Sequence, residues 1–405
     1  MIRRSRWLAL VPAVVAIMAV ANLQDTWTLF ALPLKDALAA KLSAVQLAFT
    51  LFILAQTWLA PFEGWLADHF RPRPLALIGA ALVGANWVGA GWARSLDSLY
   101  AFCLLGGLGC GLVMAAGGRI ALRCFADRRG LAMGVVSMAY GLGPVIAVAP
   151  VQRAIESWGY ARAFVVCGLV QAAVAALAAT FLQEPQGAPS PSATPLARLP
   201  RVIATRTFAL MYAVMAFVAV CGLLITAQLA PMAASFGMSK ETLVLGLGAV
   251  SLAIMLDRVT NAAARPFWGA VSDRLGRCET LALAFACEAA AIVLLAASGG
   301  HPLRFVVLSG VAFFAWGEIF SLFPAIVADV FGADEAMTDY GALFTAKGVA
   351  SLLAGWGAAR LVEGRVSWPS VLLAAAACDA LAALLAFFPL RQAVTQESRS
   401  WAVRS

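Results

Sequence analysis

Long apolar runs alternate with short polar or turn-rich stretches along the whole chain. The runs fall at about 7–34, 43–66, 75–94, 98–122, 131–152, 162–182, 207–236, 244–268, 279–298, 303–328, 340–361 and 367–390. Each is close to the roughly 20 residues that a helix needs to cross the hydrocarbon core of a bilayer. Twelve membrane-spanning helices are therefore expected. The widest interruption, 183–206, contains Gln-Gly-Ala-Pro-Ser-Pro-Ser-Ala-Thr-Pro, a composition that buries nothing and reads as a flexible linker. The expected organisation is an all-α polytopic membrane protein made of two pseudo-symmetric six-helix bundles. The first covers 1–182, followed by a cytoplasmic linker at 183–206, a second bundle at 207–390 and a cytoplasmic tail at 391–405.

Composition narrows the class further. Of 405 residues, 62% are hydrophobic and 12% charged, and the mean hydropathy is +0.86. Soluble domains carry about 25% charged residues, and membrane barrels are built from alternating segments of about ten residues. Both are excluded, as is a large extramembrane domain. The eight cysteines form no CxxC pair and lie in or beside apolar runs, so they read as small buried hydrophobes. His69 and His301 both fall in loops, which leaves no histidine-based metal site or proton relay within the membrane. No nucleophile-elbow, metalloprotease or phosphate-loop signature is present. The glycines at 106, 107, 109 and 111 resemble a nucleotide fingerprint only superficially; inside an apolar span they read as helix packing. Neither enzymatic chemistry nor a cofactor or metal is expected.

The net charge of +8 is dispersed in pairs and singles between spans, so it reads as a topology signal and not as a nucleic-acid surface. With the N-terminus inside, sixteen of the 29 basic residues fall in cytoplasmic segments, nine in outer loops and four within spans. Both termini are therefore expected in the cytoplasm. The basic start, Arg3-Arg4-Ser5-Arg6, leads into an apolar run without a small-residue cleavage site and reads as the first span. Trp7, Trp92 and Trp158, near span ends, read as interface anchors.

The two halves repeat. Gly64-Trp-Leu-Ala-Asp68-His-Phe-Arg71 follows the second run, and Gly269-Ala-Val-Ser-Asp273-Arg-Leu-Gly-Arg277 follows the eighth. A second pair, at Phe125 and Phe331, has nearly the same offset, as a duplicated six-helix unit would leave behind. These motifs resemble the loop 2–3 and loop 8–9 motifs of the major facilitator superfamily. Within it, Leu23-Gln24 with Thr26-Trp27-Thr28-Leu29, Arg265-Pro266-Phe267-Trp268-Gly269, Trp316-Gly317, Phe323-Pro324, Tyr340-Gly341 and Thr345-Ala346-Lys347 resemble the oxalate/formate antiporter branch, which is related to the monocarboxylate transporters. The resemblance spans essentially the whole chain and implies a secondary transporter in a bacterial cytoplasmic membrane, working as a monomer on a small-molecule carboxylate.

Four cations lie within spans: Arg119, Arg258, Arg265 and Lys347. A charge at the membrane centre costs about 2.5–3.5 kcal/mol on insertion scales, so each needs a reason. Arg265 lies four residues, about 6 Å, before Gly269, and Lys347 lies seven residues, about 10 Å, after Tyr340, which places them at comparable depths. Of the four lysines in the chain, only Lys347 is in a span. A guanidinium offers a planar fork and an ammonium a point charge, so the two together can clamp a small carboxylate. The resemblance likewise implies substrate contact for Arg265 and Lys347. Gln24, Asn261 and Trp316 are expected to orient the substrate, and Phe320 and Phe344 to wall it.

Further polar residues qualify this picture. Arg258 is one heptad before Arg265, on nearly the same helix face, beside Asp257 and near Asn261. An ion pair from Arg258 to Glu318 is expected, the alternative being an extension of the anion site. Asp25, Glu318, Met114, Phe320 and Phe344 depart from the branch's tyrosine-rich cage, which disfavours oxalate itself and admits a larger or less charged anion. Asp257, Glu318 and Asp25 are the candidate proton carriers. Asp68, Asp273 and Arg277 are expected to act in gating, the two aspartates by capping helix N-termini and meeting loop arginines, and Glu63 to pair with basic loop residues. Glu288 and Asp379 stand mid-span. The expected activity is alternating-access transport of a small organic anion, by exchange, because a dibasic site in the membrane is costly when empty. Proton-coupled monocarboxylate symport and efflux of an amphoteric or cationic compound are the alternatives.

Overall fold

The computed structural model describes residues 2–183, 198–239, 241–298, 300–354 and 366–404. Helices account for nearly all of them: α1 (Ile2–Val20), α2 (Asn22–Ala37), α3 (Leu42–Trp58), α4 (Ala60–His69), α5 (Pro72–Trp92), α6 (Leu96–Cys124), α7 (Arg129–Trp158) and α8 (Tyr160–Thr180), then α9 (Leu199–Ile203), α10 (Arg206–Ser235), α11 (Ala249–Leu275), α12 (Arg277–Ala296), α13 (Pro302–Trp316), α14 (Ile319–Phe331), α15 (Ala336–Leu352), α16 (Trp368–Leu385) and, after a π-helical turn at Ala386–Leu390, α17 (Arg391–Arg404). A two-residue antiparallel ladder pairs Leu243 with Gly248 and Val244 with Leu247.

Among the described residues, nine helices are long and apolar enough to cross a membrane, and the pair α3–α4, bent by 47°, makes a tenth when the two are taken together as one span. Pro61, within the first turn of α4, accounts for that bend, since it lacks the N–H that would continue the α3 ladder. The two remaining expected spans are α11 and α15. Helix α11 carries Asp257, Arg258, Asn261 and Arg265, which lower its hydropathy. Helix α15 is described as far as Leu352, and the end of that expected span, 355–361, lies outside the described residues, as does most of the expected linker (184–197).

The chain divides into two compact units: unit 1 comprises 1–126, 135–197 and 332–342, and unit 2 comprises 127–134, 198–331 and 343–405. In unit 1, α6 packs on α3 and α5, and α5 packs on α8. Its aromatic centre is Phe30 stacked on Phe164 at 3.7 Å, with Trp87 edge-on to both. In unit 2, α12 packs on α13 and α16, and α11 on α13. Exposed leucines, valines and isoleucines such as Leu8, Ile78, Leu177 and Leu294 line the outer faces of the spans, a surface that water would not tolerate and lipid solvates.

Each repeated motif holds the start of a helix. In unit 1, Asp68 accepts hydrogen bonds from the Thr338 amide (2.7 Å) and hydroxyl (2.8 Å) in the first turn of α15. In unit 2, Asp273 accepts from the amides of Gly130 (3.0 Å) and Leu131 (2.9 Å) in the first turn of α7. Both carboxylates satisfy orphan amides at the positive end of a helix. Glycine makes the approach possible: a Cβ on Gly64 would overlap the Met337 carbonyl, and one on Gly269 would overlap that of Gly130.

Candidate functional site

Unit 2 gathers most of the expected substrate residues around one ring. Asn261 and Arg265 are on the buried face of α11, Trp316 ends α13, Phe320 opens α14, and Phe344 and Lys347 follow on α15. The Arg265 guanidinium carbon lies 4.3 Å from the Phe320 ring centroid, and the Lys347 nitrogen lies 5.0 Å from the same centroid and 5.2 Å from that of Phe344. Two cations on one aromatic ring are each stabilised by its quadrupole, by about 0.5–2 kcal/mol depending on desolvation. Phe320 in turn meets Trp316 edge-on at 5.6 Å and Phe344 at 6.4 Å.

The arginine is held in place. Its Nη2 donates to Asn261 Oδ1 at 2.9 Å, and Asn261 Nδ2 donates to the Phe313 carbonyl at 3.2 Å. Asn261 thereby ties the guanidinium on α11 to the backbone of α13. Trp268 adds a second tie between the same helices, donating to the Phe314 carbonyl at 2.8 Å. Gly317, after α13, lets its backbone approach that of α11: a Cβ there would stand 2.6 Å from Ala264 Cβ and 2.8 Å from the Asn261 carbonyl. Trp316 is 5% exposed, and its indole lies over Gly222 of α10, where any side chain would overlap it. On α15, Thr345 meets the Tyr212 hydroxyl of α10 at 3.3 Å. The result is a cationic, aromatic-walled cluster on four helices, with an arginine preset by an asparagine.

Arg258 is half-buried one heptad before Arg265. Its expected ion pair with Glu318 does not form. Glu318 is fully buried, and no cation among the described residues reaches its carboxylate. The reason is local: Glu318 belongs to the break between α13 and α14, where its own carbonyl receives the amides of Ser321 and Leu322 to start α14. Asp257 is buried, with the Ser309 side chain of α13 beside it.

Gln24 belongs to unit 1. Its Oε1 accepts from the Tyr140 hydroxyl at 2.8 Å, and that hydroxyl accepts from Gln56 Nε2 at 2.7 Å. The Cys110 thiol also points to Tyr140, at 3.8 Å. Tyr140 and Gln56 were not singled out from sequence, although Tyr140 directly precedes Gly141-Leu-Gly143-Pro144. The side chain of Asp25 lies outside the described residues.

Among the remaining acids and bases, the pairing expected for Glu63 is not formed. It is 2% exposed, forms no ion pair among the described residues, and presses against Gly111 of α6, which has no side chain to exclude it. Arg119, 1% exposed, donates to the Ala67 carbonyl near the end of α4, where a cation meets the negative end of a helix. Arg277 reaches both Asp273 and Asp329, the latter at 2.9 Å, and Arg129 meets Asp329 at 2.6 Å. This ladder fastens the ends of α7, α11, α12 and α14 within unit 2.

Comparison with known proteins fixes the family. The Major Facilitator Superfamily family model matches residues 13–260 and again 258–403. The chain belongs to the Major Facilitator Superfamily. Its members are transporters and not enzymes, and this one is a multi-pass protein of a lipid bilayer. Among curated relatives, this transporter is 32% identical over 95% of its length to the oxalate:formate antiporter of Oxalobacter formigenes, covering 91% of that protein. That likeness agrees with the branch to which the Arg265 and Lys347 motifs point. It is 26% identical, over 84% of its length and 71% of the relative's, to a fujikurins efflux protein of Gibberella fujikuroi. The Escherichia coli fucose:proton symporter FucP has the same fold at 15% identity, with a TM-score of 0.73 over 94% of this chain and 97% of that one. The proton:xylose symporter XylE follows at 14% identity, with a TM-score of 0.67 and 94% of both chains covered.

Proposed function

We propose that this transporter exchanges small organic anions, each carrying at least one carboxylate, across a bacterial cytoplasmic membrane by alternating access. The observation that carries this reading is the seating of Arg265 and Lys347 on the single ring of Phe320. Two cations close together in an apolar setting are stabilised most by an anion that engages both, and the Arg265 fork and the Lys347 point charge suit a carboxylate. The 32% identical relative named for oxalate and formate supports the same class. Oxalate itself fits less well, because Phe320 and Phe344 supply faces but no hydroxyls to a second carboxylate. An anion with one carboxylate and a small apolar end matches the walls better.

In this reading Asn261 presets Arg265, Trp316, Phe320 and Phe344 form the apolar walls, and Arg258 extends the positive potential along α11. Within unit 1, Gln24 has its amide oxygen engaged by Tyr140 and its amide nitrogen as a donor. Asp68, Asp273 and Arg277 act as conformational latches, since each aspartate caps a helix whose ends must be released for the protein to change state. Both termini face the cytoplasm, and the monomer is the working unit.

Counterflow in proteoliposomes tests the exchange. Labelled formate or lactate outside is expected to enter at least several-fold faster when unlabelled anion is trapped inside. Equal rates with and without internal anion would contradict exchange.

A further inference from the structure

The end of unit 1 remote from Asp68 carries a cavity of about 540 Å3 between the last turn of α5 and the first turn of α8. Gly91, Trp92, Ala93, Arg94 and Tyr160 line it. Gly91 brings the two helices together: a Cβ there would stand 2.7 Å from the Ala161 carbonyl and 3.0 Å from Phe164 Cβ. Ala93 then takes an extended conformation that ends α5, and Arg94 follows at the rim. The volume lies within the range of about 300–1,000 Å3 typical of small-ligand sites.

The polar groups of this cavity are uncommitted. Arg94 is exposed, and among the described residues its guanidinium makes neither an ion pair nor a hydrogen bond; the half-buried Tyr160 hydroxyl likewise has no partner there. Arg162, two residues beyond Tyr160, lies with its guanidinium carbon 5.9 Å from the Trp158 ring centroid, and Arg153 is exposed near the end of α7. The acids of the same loops are Asp97, in the first turn of α6, and Glu156, which accepts from Gln152 at 3.0 Å. Neither pairs with an arginine among the described residues.

The setting selects the ligand. Trp92 is 70% exposed and Trp158 50%, as aromatic anchors at the level of lipid headgroups are. From Trp92 an exposed apolar stripe runs along α5 through Ala85, Ala81 and Ile78, and from Arg162 a second runs along α8 through Leu169, Ala173 and Leu177. A free anion would meet the polar rim alone. A phospholipid places its phosphate at that rim while its chains follow the stripes. A guanidinium fork suits phosphate, whereas an ammonium headgroup would bring another positive charge among the arginines. We propose that this cavity binds the headgroup of an anionic phospholipid, with its phosphate on Arg94 and the Tyr160 hydroxyl and its acyl chains on the outer faces of α5 and α8. The proposal does not depend on which anion is transported.

Native mass spectrometry of the purified transporter, titrated with phosphatidylglycerol or with phosphatidylcholine of the same chains, reads the occupancy. The wild type is expected to hold phosphatidylglycerol several-fold better. Arg94→Ala is expected to lower that occupancy several-fold, Arg94→Lys to lower it less, and Arg304→Ala, at the start of α13, to leave it unchanged. Equal occupancy by the two lipids in the wild type, or phosphatidylglycerol binding that survives Arg94→Ala intact, overturns the site. Millimolar inorganic phosphate is expected not to displace the lipid; displacement would reveal a site for free phosphate and overturn the lipid assignment. Position is read separately, from quenching of tryptophan emission by one equivalent of phosphatidylglycerol brominated high on its chains. The quenching is expected to fall in the Trp92→Phe, Trp158→Phe double variant, and quenching that persists in full would place the lipid elsewhere.

Discussion

The Arg265 guanidinium carbon lies 4.3 Å from the ring centroid of Phe320. Because Lys347 lies 5.0 Å from that same centroid, the phenylalanine is a shared platform and more than a wall. Replacing Phe320 with alanine removes the quadrupole beneath both cations and is expected to weaken carboxylate binding about twofold to thirtyfold, from about 0.5–2 kcal/mol. Phe320→Tyr keeps the ring and adds a hydroxyl, so affinity is expected to persist and selectivity to move toward dicarboxylates. Calorimetric titration with formate, lactate and oxalate reads both outcomes.

Asn261 has a distinct task. It accepts from Arg265 and donates to the Phe313 carbonyl, so Asn261→Leu leaves two buried groups short of a partner. About 1–3 kcal/mol of stability is expected to be lost for each unsatisfied group, seen as a lower melting temperature in detergent. Arg265→Lys keeps the charge but loses the fork, and is expected to raise the KM for uptake by about tenfold or more.

The two aspartate caps provide a stability test. Asp68→Ala and Asp273→Ala each remove an acceptor from a helix N-terminus, and each is expected to cost about 0.5–2 kcal/mol. They share no partner, so the double variant is expected to show the sum within about 0.5 kcal/mol. Asp273→Ala is expected to cost more, since it also leaves Arg277 without one of its two carboxylates. Thermal unfolding of the four proteins measures this.

Gly222 gives a steric test. Its missing side chain makes room for the Trp316 indole. Gly222→Val is expected to displace that ring, blue- or red-shifting its fluorescence and reducing transport at least tenfold, whereas Trp316→Phe on the same background is expected to recover part of the rate.

Much of this was legible in the sequence because the bilayer imposes a strong code. Apolar run lengths gave the spans, and the 205-residue spacing from Asp68 to Asp273 gave the repeat. The depths of Arg265 and Lys347 followed from helical rise, and both do meet Phe320. What the sequence did not disclose depends on rotation and on helix breaks. The Arg258–Glu318 pair was expected because both residues lie mid-span, but depth says nothing about which way a side chain points, and the break at Gly317 gives Glu318 its own environment. Glu63 looked like a loop partner for arginines, yet Gly111 opens a place for it inside unit 1. The Gln24–Tyr140–Gln56 hydrogen bonds join residues up to 116 positions apart, and no local pattern announces such a contact.

Equilibrium binding of formate, lactate and oxalate to purified wild type, Arg265→Ala and Lys347→Ala, followed by the rise in melting temperature on ligand addition, is the most direct measurement. At least one carboxylate is expected to stabilise the wild type, and neither variant is expected to respond. Stabilisation that survives in both variants would show that the anion binds elsewhere.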